Sequence, residues 1–244
     1  AYVASCTIGC CVLGCIAFGF RETLQASRRV DFAWKGGSPL GFRNLFRRSR
    51  LSAKLNLCLV CQSLTNGMGD LWQVLARELR DWGAAQCGRF AAVAGLASML
   101  GTLLTGPSIR RLGARGHTVA STSASAASAL VLGQATSNAV AFGGVVPMAL
   151  GAGKNQATSA RITNLGEELG VPQGQLAAER NTLNALIKVI APSFYASLFA
   201  FGVRHGVLGL PFYATAFLML VSAAIALSIP AAQWTSQQQP KPKH

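Results

Sequence analysis

Long apolar runs follow one another along nearly the whole chain, and short polar segments separate them. A helix needs about 20 apolar residues to cross a bilayer. Runs of about this length lie at residues 1–20, 53–76, 86–107, 117–136, 138–158, 182–203 and 207–230. The run at 117–136 is rich in serine and alanine, so it fits the interior of a bundle better than its lipid face. The pattern predicts an all-α fold, a polytopic membrane helix bundle.

The polar segments divide the predicted protein into four parts. These are a first transmembrane helix at 1–20, a linker at 21–52, a six-helix transmembrane lobe at 53–230 and a disordered tail at 231–244. Within the linker, "FRNLFRRSR" can form a short amphipathic helix on the membrane, with Phe42 and Phe46 inward. It can equally be a plain solvated loop, and the sequence leaves both alternatives open.

Charge is scarce and mostly positive. Only 12% of the residues are charged, against 51% hydrophobic, and the net charge is +14. A soluble basic protein would suggest nucleic acid as a partner, but so apolar a chain favours a lipid bilayer. Most of the lysines and arginines fall in alternate polar segments, on the side that holds the linker and the tail. This bias predicts a multi-pass protein with its C-terminus in the cytoplasm.

Motifs for catalysis or metal binding are missing from the sequence. There is no GxxxxGK[ST], HExxH or GxSxG pattern, and the histidines His117, His205 and His244 fall in predicted loops and the tail. Cys58 and Cys61 form a CxxC pair inside an apolar run, without a second pair at zinc-ligand spacing. We expect neither an enzyme nor a metal or other cofactor.

The second span carries polar residues on one helical face. Gln62, Asn66 and Asp70 are spaced i, i+4, i+8, which places them along roughly 12 Å of helix. Such a stripe is costly against lipid, so it should face a central cavity or a neighbouring helix. An intramembrane carboxylate can exchange a proton, which makes Asp70 a candidate for proton coupling. Alternatively, Asp70 lies near the outer surface with Arg89 as its partner.

Later spans add further polar candidates. Lys154 and Asn155 either line an aqueous cavity or, in the case of Lys154, extend along the stem to the headgroups. Asn184 shares a helical face with Asn181 and Lys188, and extension to the headgroups is the favoured interpretation for Lys188. Together with the second span, these positions predict a substrate or proton pathway at Gln62, Asn66, Asp70, Lys154, Asn155 and Asn184.

Several motifs resemble those of major facilitator superfamily transporters. "GPSIRRLGARG" resembles the family's Gly-x-x-x-Asp-Arg-x-Gly-x-Arg/Lys cytoplasmic loop, with Arg110 at the aspartate position and Gly106, Arg111, Gly113 and Arg115 at matching places. "QGQLAAERNTLNALIKVIAP" resembles the start of the eleventh helix in the tetracycline/proton antiporter-like branch. "RETL" resembles the end of its sixth helix, and "GDLWQVLARELRDWGAAQCGRF" its seventh helix, outer loop and eighth helix.

The resemblance implies a C-terminal six-helix half preceded by the sixth helix, with an N-terminal half missing from this chain. It implies secondary active transport by alternating access, with proton-coupled export of a small organic molecule as the expected task. Gly106, Arg111, Gly113 and Arg115 would then form a cytoplasmic gating loop, in which the glycines serve a tight turn and the arginines bind phosphates or cap helix ends. The alternative is a non-transporting, truncated membrane scaffold or partner subunit.

Overall fold

The computed structural model describes residues 2–19 and 40–235, and every regular element in these ranges is a helix. The larger part of the linker, residues 21–39, and the end of the tail, residues 236–244, lie outside the described residues. The α-helices are α1 Tyr2–Gly19, α2 Asn44–Arg47, α3 Arg50–Leu64, α4 Met68–Arg80, α5 Ala84–Leu103, α6 Thr105–Gln134, α7 Asn138–Gly143, α8 Val145–Leu150, α9 Lys154–Glu168, α10 Gln173–Arg204 and α11 Leu210–Leu227.

Helix α1 belongs to a compact unit of its own, residues 1–37, and matches the first predicted span in both length and position. The remaining helices form a second unit, residues 38–244, in which α11 packs on α3 and α6. Helix α5 lies against α8, while α9 contacts α3 and α6. The candidate site lies entirely within this second unit.

The second predicted span is helical throughout and consists of α3, a 3-10 turn and α4. Ser49 caps α3 with its hydroxyl, which accepts a hydrogen bond from the Ser52 backbone N–H at 3.0 Å. A 3-10 turn at Thr65–Gly67 joins α3 to α4. Helix α4 then ends at Asp81, whose φ of 51° gives the left-handed cap. A short connection, residues 81–83, then leads to α5.

The predicted gating loop is mostly helical. Helix α5 ends at Leu103, and α6 begins at Thr105 after a bend of 64°. Residues 105–112 are helical, and the chain changes direction again at Gly113, where φ is 73° and ψ is 166°. The prediction of a short turn over residues 106–116 was wrong: the non-helical backbone angles are confined to Gly113, because one glycine is enough to change the direction of the chain.

The predicted span at 138–158 is broken into three helices. Breaks at Gly144 and Gly151–Gly153 separate α7, α8 and α9, and α9 continues to Glu168. The predicted span at 138–158 is thus three consecutive helices rather than one, and whether they cross a membrane stays a prediction. Glycines at the breaks allow close packing, since a β-carbon on Gly144 would lie 3.2 Å from Val131 Cγ1.

Two described helices are long and apolar enough to cross a membrane, namely α10 and α11. A third candidate is the bent pair formed by α5 and α6. Large apolar side chains are exposed on these helices, among them Leu96 and Val189, as lipid-facing residues would be. These features support association with a membrane, while the count of seven spans stays a prediction.

The ends of the lobe are more ordered than the sequence suggested. Leu45 in α2 is buried, and Phe42 and Phe46 pack against the core formed by α3, α9 and α10. The short amphipathic helix thus exists, but its aromatic face covers protein. Beyond α11, a 3-10 turn at Ala231–Gln233 leads to Trp234, which is buried in the same core. The predicted start of a disordered tail at 231 was therefore too early.

Candidate functional site

An aromatic cavity of about 790 Å³ lies between α4, α5, α6, α8 and α11. The rings of Trp72, Phe90 and Phe212 line it. All the methionines of the chain also face this space, at Met68, Met99, Met148 and Met219. Hydroxyl groups are spread between them, at Thr65, Ser98, Thr102, Ser125, Ser128 and Thr215. The cavity can accept an apolar body against its rings and methionines, with hydroxyl groups dispersed among them.

The rings at one end of this cavity hold one another in place. Trp72 stacks on Phe90 with centroids 4.6 Å apart and meets Trp82 edge-on at 6.0 Å. Trp82 donates its indole N–H to Asn138 Oδ1 at 2.6 Å. The Arg80 guanidinium lies over the Trp72 and Trp82 rings and donates to the Leu132 carbonyl. Burial lowers the pKa of Arg80, which nevertheless stays charged at neutral pH.

A polar cavity of about 750 Å³ lies between α3, α9 and α10. Its polar lining residues are Ser63, Asn66, Asn155, Ser159, Arg180, Asn181, Asn184 and Lys188. No described carboxylate lines it. Two cations and several neutral amides therefore surround a space without a described negative charge.

Two facing helical stripes build the polar cavity. On α9, Asn155 and Ser159 are one turn apart, and Thr163 follows in the same register. On α10, Arg180, Asn184 and Lys188 repeat the i, i+4, i+8 spacing. Arg180 bridges the stripes, because its Nη2 donates to Ser159 Oγ at 2.8 Å and its Nη1 to Thr163 Oγ1 at 3.3 Å. Regular helices thus hold the site.

Asn66 lines both cavities. It lies in the 3-10 turn between α3 and α4. Across from it, at the start of α9, Lys154 lines the aromatic cavity and Asn155 lines the polar one. The two cavities therefore adjoin where the Asn66 amide lies across from the Lys154 ammonium group.

Most of the residues predicted for the pathway are brought together here. Asn66, Lys154, Asn155 and Asn184 all line the two cavities. Gln62 does not, since it is fully buried and donates to Cys58 Sγ at 3.5 Å inside the packed core. The backbone of Asp70 lies in α4, and its side chain is not among those the structure describes.

The predicted gating residues lie away from both cavities. Gly113 has the positive φ that was predicted for the turn, whereas Gly106 sits in the helix with open space around it. Arg115 Nη2 donates to the Leu227 carbonyl at 2.6 Å and so caps the end of α11. Arg111 is exposed. One of the two roles predicted for the arginines, capping, is thus seen at Arg115.

His117 was predicted to lie in a loop, and this was wrong. It is buried in α6, where Nδ1 is 2.9 Å from Ser108 Oγ and Nε2 is 3.3 Å from the Gly153 carbonyl. The imidazole thus bridges the two segments of α6 to the break before α9. The error followed from the predicted turn over residues 106–116: His117 comes directly after it and was therefore assigned to the same loop.

Sequence reasoning missed the cation and the rings that shape the site. Arg180 was counted as a loop charge just outside a span, although its spacing to Asn184 and Lys188 already indicated a common face. Ser159 was similarly spaced from Asn155. No signal in the sequence could bring Phe90 of α5 and Phe212 of α11 to the same cavity, because that depends on helix packing.

Comparison with known proteins gives no relative: no family model, curated protein or solved structure matches this chain.

Proposed function

We propose that this chain forms the C-terminal lobe of a secondary active membrane transporter that exports a small organic molecule by alternating access. The observation that carries the proposal is the pair of adjoining cavities in a largely apolar helical lobe, with cationic and amide side chains from α9, α10 and the 3-10 turn after α3. The resemblance to the major facilitator superfamily, and to its tetracycline/proton antiporter-like branch, points to the same class. Such transporters bind their cargo between helices near the middle of the bilayer.

The size and lining of the cavities suit a cargo. Ligand sites have volumes of about 300–1,000 Å³ and are mostly apolar with a few placed polar groups. Each cavity has a volume within this range. Polar and charged side chains within a membrane are costly, so they mark functional positions by default. Asn66, Asn155 and Asn184 would contact the cargo as it passes.

The rest of the cycle is assigned by resemblance and charge. An N-terminal half would complete the transport path, and rocking of the two halves would expose the site to each side in turn. Asp70 would carry the coupling proton. The chain would cross the membrane several times with its C-terminus in the cytoplasm, and the loop with Arg111 would act as a gate there.

Reconstitution tests the proposal. The full-length gene product would be placed in proteoliposomes loaded with radiolabelled naphthalenesulfonate or naphthyltrimethylammonium, and release would be followed after a pH gradient is imposed. We expect gradient-dependent release of at least one of them, slowed about tenfold or more in Asn184→Ala and Asn155→Ala. Asn164→Ala is the matched control, because Asn164 is exposed on α9 and lines neither cavity.

The alternative of a membrane scaffold makes the opposite prediction. Release at the rate of empty liposomes, with or without the pH gradient, would contradict transport and favour a scaffold or partner subunit. In Asp70→Asn, release that no longer responds to the pH gradient would support the proton role, and release that still responds would remove it.

A further inference from the structure

We infer that the two cavities together bind an amphipathic organic anion, with its charged head in the polar cavity and its apolar body in the aromatic cavity. As an assignment of cargo, this rests on the proposed transport function. As a binding site, it rests on the geometry of the described residues alone. The anion is either a free molecule or the headgroup end of a lipid, since both present the same chemistry to the site.

The described charged side chains that line the two cavities are all positive. Arg180 and Lys188 line the polar cavity, and Lys154 stands at the junction. The two described ion pairs hold Glu168 and Glu179, which are bound to Arg161 and Arg48 outside the cavities. No described carboxylate lines either cavity. A bound anion would restore the balance.

The Arg180 guanidinium group is fixed in orientation and keeps hydrogen-bond donors for such a ligand. Its guanidinium group has five N–H donors, and the two hydrogen bonds found for it go to the neutral hydroxyls of Ser159 and Thr163. These bonds fix the orientation of the group without cancelling its charge. The free N–H groups can bind a carboxylate, sulfonate or phosphate in the bidentate manner typical of arginine.

Neutral donors complete the polar end. The amides of Asn181 and Asn184 face the cavity, and no side-chain hydrogen bond to another described residue is found for either. Asn155 also lines the cavity, and no hydrogen bond to another described residue is found for its amide N–H groups, which are the donors an anion would need. Unpaired amides beside two cations offer an oxyanion several further hydrogen bonds.

The aromatic cavity suits the apolar part of the same ligand. Its rings provide flat surfaces, and its methionines are unbranched and can adapt to different shapes. All the methionines of the chain meet here, although the four helices that carry them are distributed over residues 68–219. This composition favours a ligand recognised by charge at one end and loosely by shape at the other.

Equilibrium binding of matched probes tests the inference. The full-length protein in phosphatidylcholine nanodiscs would be titrated with radiolabelled naphthalenesulfonate and with naphthyltrimethylammonium, which carry opposite permanent charges on the same ring system. We expect the anion to bind about tenfold or more tightly than the cation. Arg180→Gln and Lys188→Gln should each weaken anion binding, Arg180→Gln by about tenfold, and Arg180→Lys should restore only part of the affinity.

The control variant is Arg204→Gln, which removes the same charge from the other, exposed end of α10. It should leave anion binding unchanged. Because Arg180 also bridges two helices, Lys188→Gln serves as the second probe: Lys188 is exposed and no hydrogen bond to a described residue is found for it. Thermal unfolding of each variant identifies any loss of folded protein.

Adding phosphatidylglycerol to the nanodiscs distinguishes the two sources of the anion. Competition with naphthalenesulfonate would identify a lipid headgroup as the occupant, and unchanged binding would identify a free anion. Equal affinity for both probes, or anion binding that neither Arg180→Gln nor Lys188→Gln weakens, would overturn the inference. Gradient-driven release of the cation alone would leave the transport function standing and remove the anion. Anion binding without gradient-driven release would keep the anion site and remove the transport function.

Discussion

Arg48 and Glu179 form an ion pair that ties the segment before α3 to the N-terminal part of α10. Arg48 Nη1 lies 2.6 Å from Glu179 Oε2, and Nη2 donates to Oε1 at 2.7 Å. Gln175 Nε2 donates to the same carboxylate at 3.1 Å. Only 6% of the Glu179 side chain and 17% of the Arg48 side chain is exposed. The pair therefore connects the polar cavity's longest helix to the linker.

Breaking this ion pair should destabilise the lobe. Removing one partner of a largely buried pair leaves an uncompensated charge, so Arg48→Met should lower the free energy of unfolding by about 2 kcal/mol or more. The double variant Arg48→Met with Glu179→Met should recover much of that loss, because neither charge then remains. Chemical unfolding in detergent, arranged as a double-mutant cycle, measures the coupling.

Arg47→Met is the matched control, since Arg47 is exposed and adjacent to Arg48. A loss in Arg47→Met as large as that in Arg48→Met would assign the effect to general charge rather than to the ion pair.

The second prediction concerns Gly67, where the turn after α3 meets α10. A β-carbon there would lie 2.6 Å from Ala191 Cβ and 2.9 Å from the Ala191 carbonyl carbon. Gly67→Ala should therefore destabilise the lobe by about 1–3 kcal/mol, because helix backbone must move. Gly69→Ala, with nothing within 4 Å of the added carbon, should be neutral or slightly stabilising. Melting temperatures of the two variants would be compared, and equal values would contradict the close contact.

The third prediction separates the two glycines of the proposed gate. Gly113 has a φ of 73° and a ψ of 166°, a region almost restricted to glycine that costs an L-residue about 1–3 kcal/mol, so Gly113→Ala should destabilise by about that amount. Gly106 lies in regular helix with open space around it, so Gly106→Ala should not destabilise. Unfolding of both variants in the same detergent measures the difference. A loss at Gly106 as large as at Gly113 would contradict the backbone assignment.

The fourth prediction separates the two arginines of the same segment. Arg115→Gln removes the hydrogen bond to the Leu227 carbonyl at the end of α11 and should cost about 1 kcal/mol of stability. Arg111→Gln should leave stability unchanged, because Arg111 is exposed. Under the proposed gate it should instead change the release rate from proteoliposomes. An Arg111→Gln variant with normal release would limit the gating role to other residues.

The helical periodicity of the sequence was sufficient to place polar faces, but not to pair them. Asn66, Asn155 and Asn184 were selected individually, and the structure brings them to one cavity. Gln62 was selected by the same spacing, but it is buried in the core and donates to Cys58 Sγ. Periodicity reports which residues share a face, while packing decides what that face meets.

Breaks within apolar segments were harder to predict than their ends. Ser49 and Asp81 mark helix ends with recognisable chemistry. The breaks at Gly144 and Gly151 lie inside an apolar run, where hydropathy remains high across the interruption. Trp234 was assigned to a tail because its neighbours are polar, and its burial depends on core residues far away in the sequence.

The segment after α11 has a practical consequence for handling the protein. Arg161 donates from Nε to the Gln233 carbonyl at 2.7 Å while its Nη1 binds Glu168 Oε1 at 2.8 Å, and Trp234 is inserted beside them into the core. A purification tag or fluorescent fusion joined directly after α11 would remove Gln233 and Trp234 from these contacts. Fusions should therefore begin after Ser236, so that the Arg161 hydrogen bond and the burial of Trp234 are kept.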